Sequence, residues 1–363
     1  MQTEIPPMKV KGFEKVIILH LGALFGAANA GEKSVKSFHR TLLNTPNLDE
    51  MSVHEFAAGR VSDLLAKHEV KDPIGYKTIG FAPYADYVGG KFAMGIPGTN
   101  AIVLQAEKRE RVLPGVSVRN EVTKRMDTWR EKEIEGWEPT RKDWAQLKDD
   151  VEAEMLKTAP IRPTRYNVII AVPYVYVFTT SAKTAEEINS LLRAAFGTWP
   201  VEHLLINDFV LRQSMEKVVR GNIDGITGDD FIHIKHDDGD DVKFKDIDIH
   251  KDEVVLDYLA RHYTVRALNM RVDESLMRPG VGNVFFRLTD KAIISGIHIG
   301  EADVDANYDA TLERYNNDSG TFLTYMANLF QTVLSLQDVI DVFRDKMDVT
   351  VEVDAQLEDD DEV

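Results

Sequence analysis

Apolar residues change their spacing several times along the chain, and each change marks an element. From Phe13 to Leu21 they run almost unbroken, as in a buried strand, and the small residues that follow read as a turn. Within residues 32–70 the spacing is helical. Val53, Phe56, Ala57, Val61, Leu64 and Leu65 recur at three- and four-residue steps, behind Pro46, Asn47 and Asp49 as stop and cap. Short strands are predicted over 71–113, the clearest at Tyr76–Tyr84 and Ala101–Gln105. Two helices follow, Val116–Glu135 and Arg141–Lys157, broken by Gly136, Trp137 and Pro139 and ended by Pro160 and Pro163. Tyr166–Thr179 reads as one β-rich strand. Ala182–Phe196 reads as a helix with Ile188, Leu191, Leu192 and Ala195 on one face and Gly197 as its stop.

The second half returns to strands. Phe231, His233 and Lys235 alternate with Ile232, Ile234 and His236, and Asp237-Asp238-Gly239-Asp240 then turns the chain into a hairpin. Val242, Phe244, Ile247 and Ile249 resume the apolar positions with a slip in phase that predicts a bulge. A short helix is expected over Val254–His262. Strands are expected over Thr264–Val272, Asn283–Thr289 and Lys291–His298, with a tight turn at Thr289-Asp290. Tyr308–Phe343 has helical spacing, interrupted near Asn316–Gly320. No repeat of fixed period occurs.

Together these elements predict an α+β fold with mixed sheets, flanking helices and a helical hairpin. The expected organisation is a central α/β region over 1–112, a basic helical hairpin and linker over 113–165, completion of the central region over 166–212, a C-terminal α/β region over 213–345, and an acidic tail over 346–363. The end of that tail, Asp354–Val363, has little to bury and is expected to be disordered.

Composition narrows the possibilities. A chain of 363 residues suits two or three packed subdomains. With no cysteine, disulfides, thiolate metal sites and a cysteine nucleophile are excluded. That composition fits a reducing cytoplasm, and no signal peptide is read at the start of the chain. The longest apolar run, Val16–Ala30, contains His20 and Asn29 and is too short to span a bilayer, so no membrane association is expected. The net charge of −17 argues at first against nucleic acid, whose phosphates attract lysine and arginine. Binding depends on where charges lie rather than on their sum, however.

Signatures of catalysis are mostly missing. There is no phosphate-binding G-x-x-x-x-G-K-[ST] loop, no G-x-S-x-G elbow and no H-E-x-x-H pair, and Gly280-Val281-Gly282 lacks the third glycine of a dinucleotide fingerprint. His233, His236, Asp237, Asp238, Asp240 and Asp241 carry the donor types for a divalent cation, but His233 and His236 fall on opposite faces of a strand. A magnesium-dependent nuclease remains the enzymatic alternative, on Asp241-Val242-Lys243 and Asp246-Ile247-Asp248. No cofactor is expected.

Clustered cations are more informative. Lys108, Arg109, Arg111, Arg119, Lys124 and Arg125 fall within eighteen residues, opposed by Glu110 and Glu121. Arg141 and Lys142 open the next helix. Lys157, Arg162 and Arg165 follow in a proline-stiffened linker in which Arg162 and Arg165 have no local partner in sequence. The alternative for the first helix is a solvated face paired to Glu131, Glu133, Glu135, Asp149 and Asp150. Trp129, Trp137 and Trp144 could stack on bases, but their spacing more often marks the seam of a helical hairpin, and they are read as core or interface. The acidic tail could mimic DNA and compete for a basic surface, or serve solubility, which is the reading preferred.

Several stretches, taken in order, resemble the RdgC family of recombination-associated proteins. They are Val112-Leu113-Pro114 before the two helices, Leu147-Lys148-Asp149-Asp150-Val151, Thr180-Ser181-Ala182-Lys183-Thr184-Ala185-Glu186, Leu191-Leu192-Arg193, Trp199-Pro200-Val201, Gly228-Asp229-Asp230-Phe231, Val265-Arg266-Ala267-Leu268, Phe286-Arg287-Leu288-Thr289-Asp290 and Leu312-Glu313-Arg314-Tyr315. The similarity is collinear from about Gly12 to Leu336, and its order and spacing carry it rather than any one motif. The resemblance implies a ring-shaped homodimer that holds double-stranded DNA in a positively lined hole without sequence preference. It also implies limited access for a recombinase (RecA) or exonuclease, and a nucleoid-associated location. Family members that are acidic overall remove the charge objection. By position, Arg141 and Lys142 match a basic cluster between the helices, Lys245 matches a lysine of the basic run after the hairpin, and Arg162 and Arg165 lie in the loop after the helical pair. Pro160 and Ile161 stand where the family has an aromatic residue, Asp246 and Asp248 dilute the basic run, and residues 28–75 are an insertion. The expected DNA contacts are therefore Lys108, Arg109, Arg111, Arg119, Lys124, Arg125, Arg141, Lys142, Lys157, Arg162, Arg165, Lys243 and Lys245. A scaffold of the same fold that does not bind DNA is the other alternative.

Overall fold

The structure is a computed structural model that describes residues 13–20, 50–83, 90–96, 99–132, 138–197, 199, 201–203, 208–300 and 320–347. The chain is α+β. Among the described residues its strands are β1 (Lys15–His20), β2 (Lys77–Ala82), β3 (Ala93–Gly95), β4 (Ala101–Arg111), β5 (Ile161–Ala171), β6 (Tyr174–Val177), β7 (Glu202–His203), β8 (Ile226–Lys235), β9 (Asp241–Lys245), β10 (Thr264–Val272), β11 (Val284–Thr289) and β12 (Ile294–Ile299). The helices are α1 (Glu50–Ala66), α2 (Gly115–Lys132), α3 (Arg141–Thr158), α4 (Ala182–Phe196), α5 (Asp208–Val219), α6 (Glu253–Ala260) and α7 (Gly320–Lys346). The strands form one sheet in the order β2-β4-β5-β6-β1-β12-β11-β10-β8-β9, with β3 beside β4 and β7 beside β1. Every pairing between these strands is antiparallel.

The alternation of burial along each strand reports how many faces are covered. Ala101–Leu104 and Val168–Ala171 are buried without interruption because helices lie on both sides. On one face, Val61 and Leu65 of α1 and Ala185, Ile188 and Leu192 of α4 pack against Leu104, Ile170 and Val177. On the other, Leu329, Val333, Leu336 and Ile340 of α7 share a core with Val103, Ile169 and Tyr176. That second core continues under the other half of the sheet, where α5, α6 and α7 meet Ile232, Leu268, Phe286 and Leu288. Here β11 alternates strictly between buried and half-buried positions, so only its inner side is covered. Local signals set the helix ends. Thr140 and Asp143 form a capping box on α3, Ser181 caps α4, and Gly197 closes α4 with φ of 77°.

Strands β4 and β5 run beyond the sandwich, and their outer ends carry α2 and α3 as an arm. The arm has its own small core of Val118, Val122, Met126, Leu147 and Val151. Where the strands leave the apolar layers their residues become charged. Glu107, opposite Arg165 in register, is only 3% exposed. Its two oxygens accept from Arg109 Nε at 2.7 Å and Arg165 Nε at 2.8 Å, and Arg109 also meets Asp72 at 2.8 Å. Burial alone would raise the Glu107 pKa. The two guanidinium groups outweigh it and hold the carboxyl below the usual range.

The structure corrects several sequence expectations. Tyr166–Thr179 is two strands, the end of β5 and β6, joined by a turn with a cis Val172–Pro173 peptide. The proline-containing linker is strand from Ile161 onward. Pro163 is tolerated because β6 pairs with β5 only from Val168, which leaves β5 at the sheet edge around the proline. β4 extends to Arg111 rather than ending at Gln105. No bulge interrupts β8 and β9, whose register is regular. The slip in apolar phase arises because β9 stops at Lys245 and Asp246 takes a positive φ of 56°, and the irregularities of β8 lie on its other side, against β10. The last strand starts at Ile294 rather than Lys291, after a turn with Ala292 at φ 55°. The terminal helix is described from Gly320. The expected helical stretch before it, the segment 32–49 and the tail 348–363 lie outside the described residues.

Two stability outcomes follow. A Cβ at Gly80 would approach backbone atoms of Val70 at 2.5 and 2.7 Å, where the 68–70 segment bonds to Phe81. Gly80→Ala is expected to destabilise the fold by about 1–3 kcal/mol, measured by urea denaturation, because neither backbone can yield. Glu107→Gln should cost about 1–3 kcal/mol, since the arginines it serves are partly solvated. With its folded pKa below the unfolded value, Glu107 contributes stability above about pH 4.3, lost as pH falls through the folded value. The difference between wild type and variant in thermal unfolding should therefore shrink below that pH.

Candidate nucleic-acid interface

The sequence-expected cations fall into three places. On the arm, Arg119 and Arg125 bracket the apolar stripe of Val118 and Val122. Arg125 is held by Glu121 at 2.8 Å and Glu154 at 2.6 Å, a bridge between the helices that leaves it little freedom. Arg119, Lys124, Arg141, Lys142 and Lys157 are exposed, and none makes a side-chain ion pair with a described residue. Arg119 and Lys124 lie about 140° apart around the helix, so they do not form one stripe. Residues 113–165 carry eleven basic and eleven acidic side chains. The arm is therefore neutral in sum on a chain of −17, and its cations act as separate exposed points.

The stalk below the arm uses most of its cations internally. Lys108 meets Glu110 at 2.6 Å. Arg109 and Arg165 serve Glu107, so Arg165, which has no partner near it in sequence, is nevertheless engaged: strand pairing brings Glu107 beside it from 58 residues away. Arg111 donates to Pro73 O, Lys157 O and Ala159 O and so ties off the last carbonyls of α3. Arg162 is exposed opposite Glu110, and its side chain makes no hydrogen bond or ion pair with a described residue. Of the five, Arg162 is the most available.

Lys243 and Lys245 lie far away, on the open face of the other half-sheet. Eight strand spacings separate β4 from β9, about 38 Å along the sheet. One protomer therefore does not gather all thirteen residues into one patch. The open face has cations that sequence reasoning missed. Lys245 stands opposite Phe231, and Arg287 lies over the Phe231 ring with its guanidinium carbon 3.7 Å from the centroid. Arg287 Nε donates to Asn269, which donates to Asp230. Lys15 continues the row, opposite Ser295, which in turn faces Arg287. Arg271 is exposed beside Phe285, whose ring stacks on His298 at 4.7 Å. The signal was present in the alternation of residues 284–289, where Phe285 and Arg287 share the side opposite Val284, Phe286 and Leu288. What makes them neighbours of Lys15 and Lys245 is pairing between segments remote in sequence.

The candidate metal cluster is resolved into local pairs. His233 meets Asp241 at 2.6 Å, and His236 meets Asp238 at 3.2 Å. Among the described residues no group of three or more His, Asp or Glu side chains is placed to hold a metal ion. Trp144 packs at the arm seam as expected, whereas Trp129 is 41% exposed, and Trp137 lies outside the described residues. Among the described residues no helix is long and apolar enough to cross a membrane.

Comparison with known proteins points to one family. The family described as "Putative exonuclease, RdgC" matches residues 62–344. The recombination-associated protein RdgC of Pseudomonas aeruginosa is 35% identical over 109 residues, 29% of this chain and 34% of the relative. RdgC of Actinobacillus succinogenes is 32% identical over 102 residues, 28% and 33% of the two chains. RdgC of Mannheimia succiniciproducens is 29% identical over 124 residues, 31% and 40%. The matched stretches thus span about a third of the length of these relatives. With the family match running from α1 through nearly all of α7, this chain belongs to the RdgC family.

Proposed function

We propose that this protein binds double-stranded DNA without sequence preference and modulates recombination by occupying it, which limits access of a recombinase or an exonuclease. The observation that carries this reading is the segregation of charge. A strongly acidic chain holds exposed cations without ion-pair partners among the described residues on the arm and, together with Arg287, on the open half-sheet. Lysine and arginine without carboxylate partners suit phosphates, and their wide spacing suits a backbone track rather than base readout. The name shared by the relatives, recombination-associated protein, supports the process. The two cation groups stand at opposite parts of the sheet. A homodimer that joins the arm of one copy to that of another would enclose duplex between them, in keeping with the ring that the resemblance implies.

A second reading is nuclease activity, favoured by the family description as an exonuclease. Asp241 is already bonded to His233, and Asp248 to Lys251 at 2.6 Å, so a metal would have to displace both contacts.

Duplexes of unrelated sequence, labelled and titrated across a salt series with EDTA or Mg²⁺, separate the readings. Tight binding that is indifferent to sequence is expected, with log K falling by about 0.9 per phosphate contact for each tenfold rise in salt. Shortening of the duplex in Mg²⁺ alone would establish the nuclease, and absence of binding at low salt would establish a scaffold. Charge reversal should use residues that are free of structural duty. Arg119→Glu with Arg162→Glu is expected to weaken duplex binding about tenfold or more at low salt and to lower the salt slope, with unchanged thermal unfolding. Arg165→Glu is unsuitable, because it would set a second carboxylate against buried Glu107.

A further inference from the structure

We infer that the acidic segment 354–363 of this chain docks on the open face of β8–β12 and competes there with polyanions. The competition with DNA rests on the function proposed above, while the docking stands apart from it. No described helix packs on that face, which continues the side covered by α1 and α4 in the other half of the sheet. Lys15, Lys243, Lys245, Arg271 and Arg287 project from it, and Asp230 and Asp241 are engaged by Asn269 and His233. Arg287 is oriented by Phe231 below and Asn269 beside it, and its two terminal nitrogens have no described carboxylate partner. The face is thus a preorganised cationic platform on a chain that is otherwise strongly acidic.

The occupant is given by charge and reach. Residues 348–363 hold eight carboxylates and no basic residue, five of them consecutive from Glu358 to Glu362. The last described residue, Met347, is buried, and its carbonyl accepts from Ser214 Oγ of α5 at 2.5 Å. α5 packs beneath β8 and β10, so the chain leaves the structure one or two strands from the β9 edge. Ten residues lie between Met347 and Glu358, and the eleven Cα–Cα steps that join the two can span up to about 36 Å. A sheet-and-helix layer is about 10 Å thick and neighbouring strands are about 4.8 Å apart, so the distance around the β9 edge to Lys243 and Lys245 is within that reach. Tethering holds the carboxylates near the face at an effective concentration in the millimolar range. Weak, salt-sensitive contacts to four or five cations then suffice for partial occupancy.

The absence of cysteine permits a direct measurement. Nitroxides on Gln356→Cys and Ser295→Cys in the full chain report the distance from the segment to the open face. A population below about 30 Å is expected at low ionic strength, lost in 0.5 M salt and in the Lys243→Glu, Lys245→Glu background. A distribution that ignores both salt and charge reversal would overturn the docking. Competition is read on a second full-length variant, Glu358→Gln, Asp359→Asn, Asp360→Asn, Asp361→Asn, Glu362→Gln. It should elute from heparin at higher salt and bind duplex about five- to tenfold tighter at 50 mM salt, with the gain fading as salt rises. Unchanged heparin elution would overturn the competition. A gain on heparin without duplex binding by either form would instead remove DNA as the ligand while leaving the autoinhibitory contact in place.

Discussion

The six residues of β1 hold the molecule together. Ile17 to His20 pair with β6 on one side, and Lys15 and Val16 pair with β12 on the other, so two half-sheets become one. The side chains share the same division. Ile17 and Leu19 enter the core beneath α1 and α4, while Val16 and Ile18 enter the core that runs under α7. Once β1 is placed, the apolar layer on the α7 side is continuous from β4 to β9. Among the described residues the layer on the other side stops where β12 begins. The open cationic face is a consequence of that stop rather than a separate design.

The same logic explains the arm. β4 and β5 carry unbroken apolar runs only as far as the two helical layers reach, and then become charged pairs. A stalk without a core on either face must be held by cross-strand contacts. Glu107 supplies these by binding two guanidinium groups at once, and Arg111 secures the end of α3. Cations engaged in this way hold the arm in position. Those without partners among the described residues, Arg119, Arg141, Lys142 and Arg162 included, remain available for an external anion. Similar residues a few positions apart in sequence therefore have different roles, and the difference lies in what strand pairing brings beside each.

Overall acidity and polyanion binding are compatible in such a molecule. The acidic residues keep the remaining surface solvated, and the face on which no described helix packs gathers the cations of β1, β9, β10 and β11. An acidic segment that leaves the structure one or two strands from the β9 edge belongs to the same electrostatic system as the row from Lys245 through Arg287 to Lys15.

Much of the fold was legible in the linear pattern. Periodicity placed α4, with Ile188 and Leu192 on its buried face, and the two arm helices to within a few residues, because helix burial follows a local 3.6-residue repeat. The collinear family resemblance was legible for the same reason, since it resides in the order of segments. Other features were not local. Tyr166–Thr179 has the composition of one strand, and only the turn at Val172–Pro173 divides it. Pro163 signals a break, yet at a sheet edge it costs no ladder bond. Arg165 looks unpartnered until β4 brings Glu107 beside it, and Arg287 is an ordinary strand residue until Phe231, Asn269 and Lys245 assemble around it. The sequence alone determined most of the helices, the overall charge and the family, because these depend on composition, short-range spacing and the order of segments. Which cations are engaged by described residues and which are not, and that the β9 edge of the open face lies about 38 Å from β4, was decided only by tertiary structure. Pairing between strands far apart in the chain assigns each charge its neighbours.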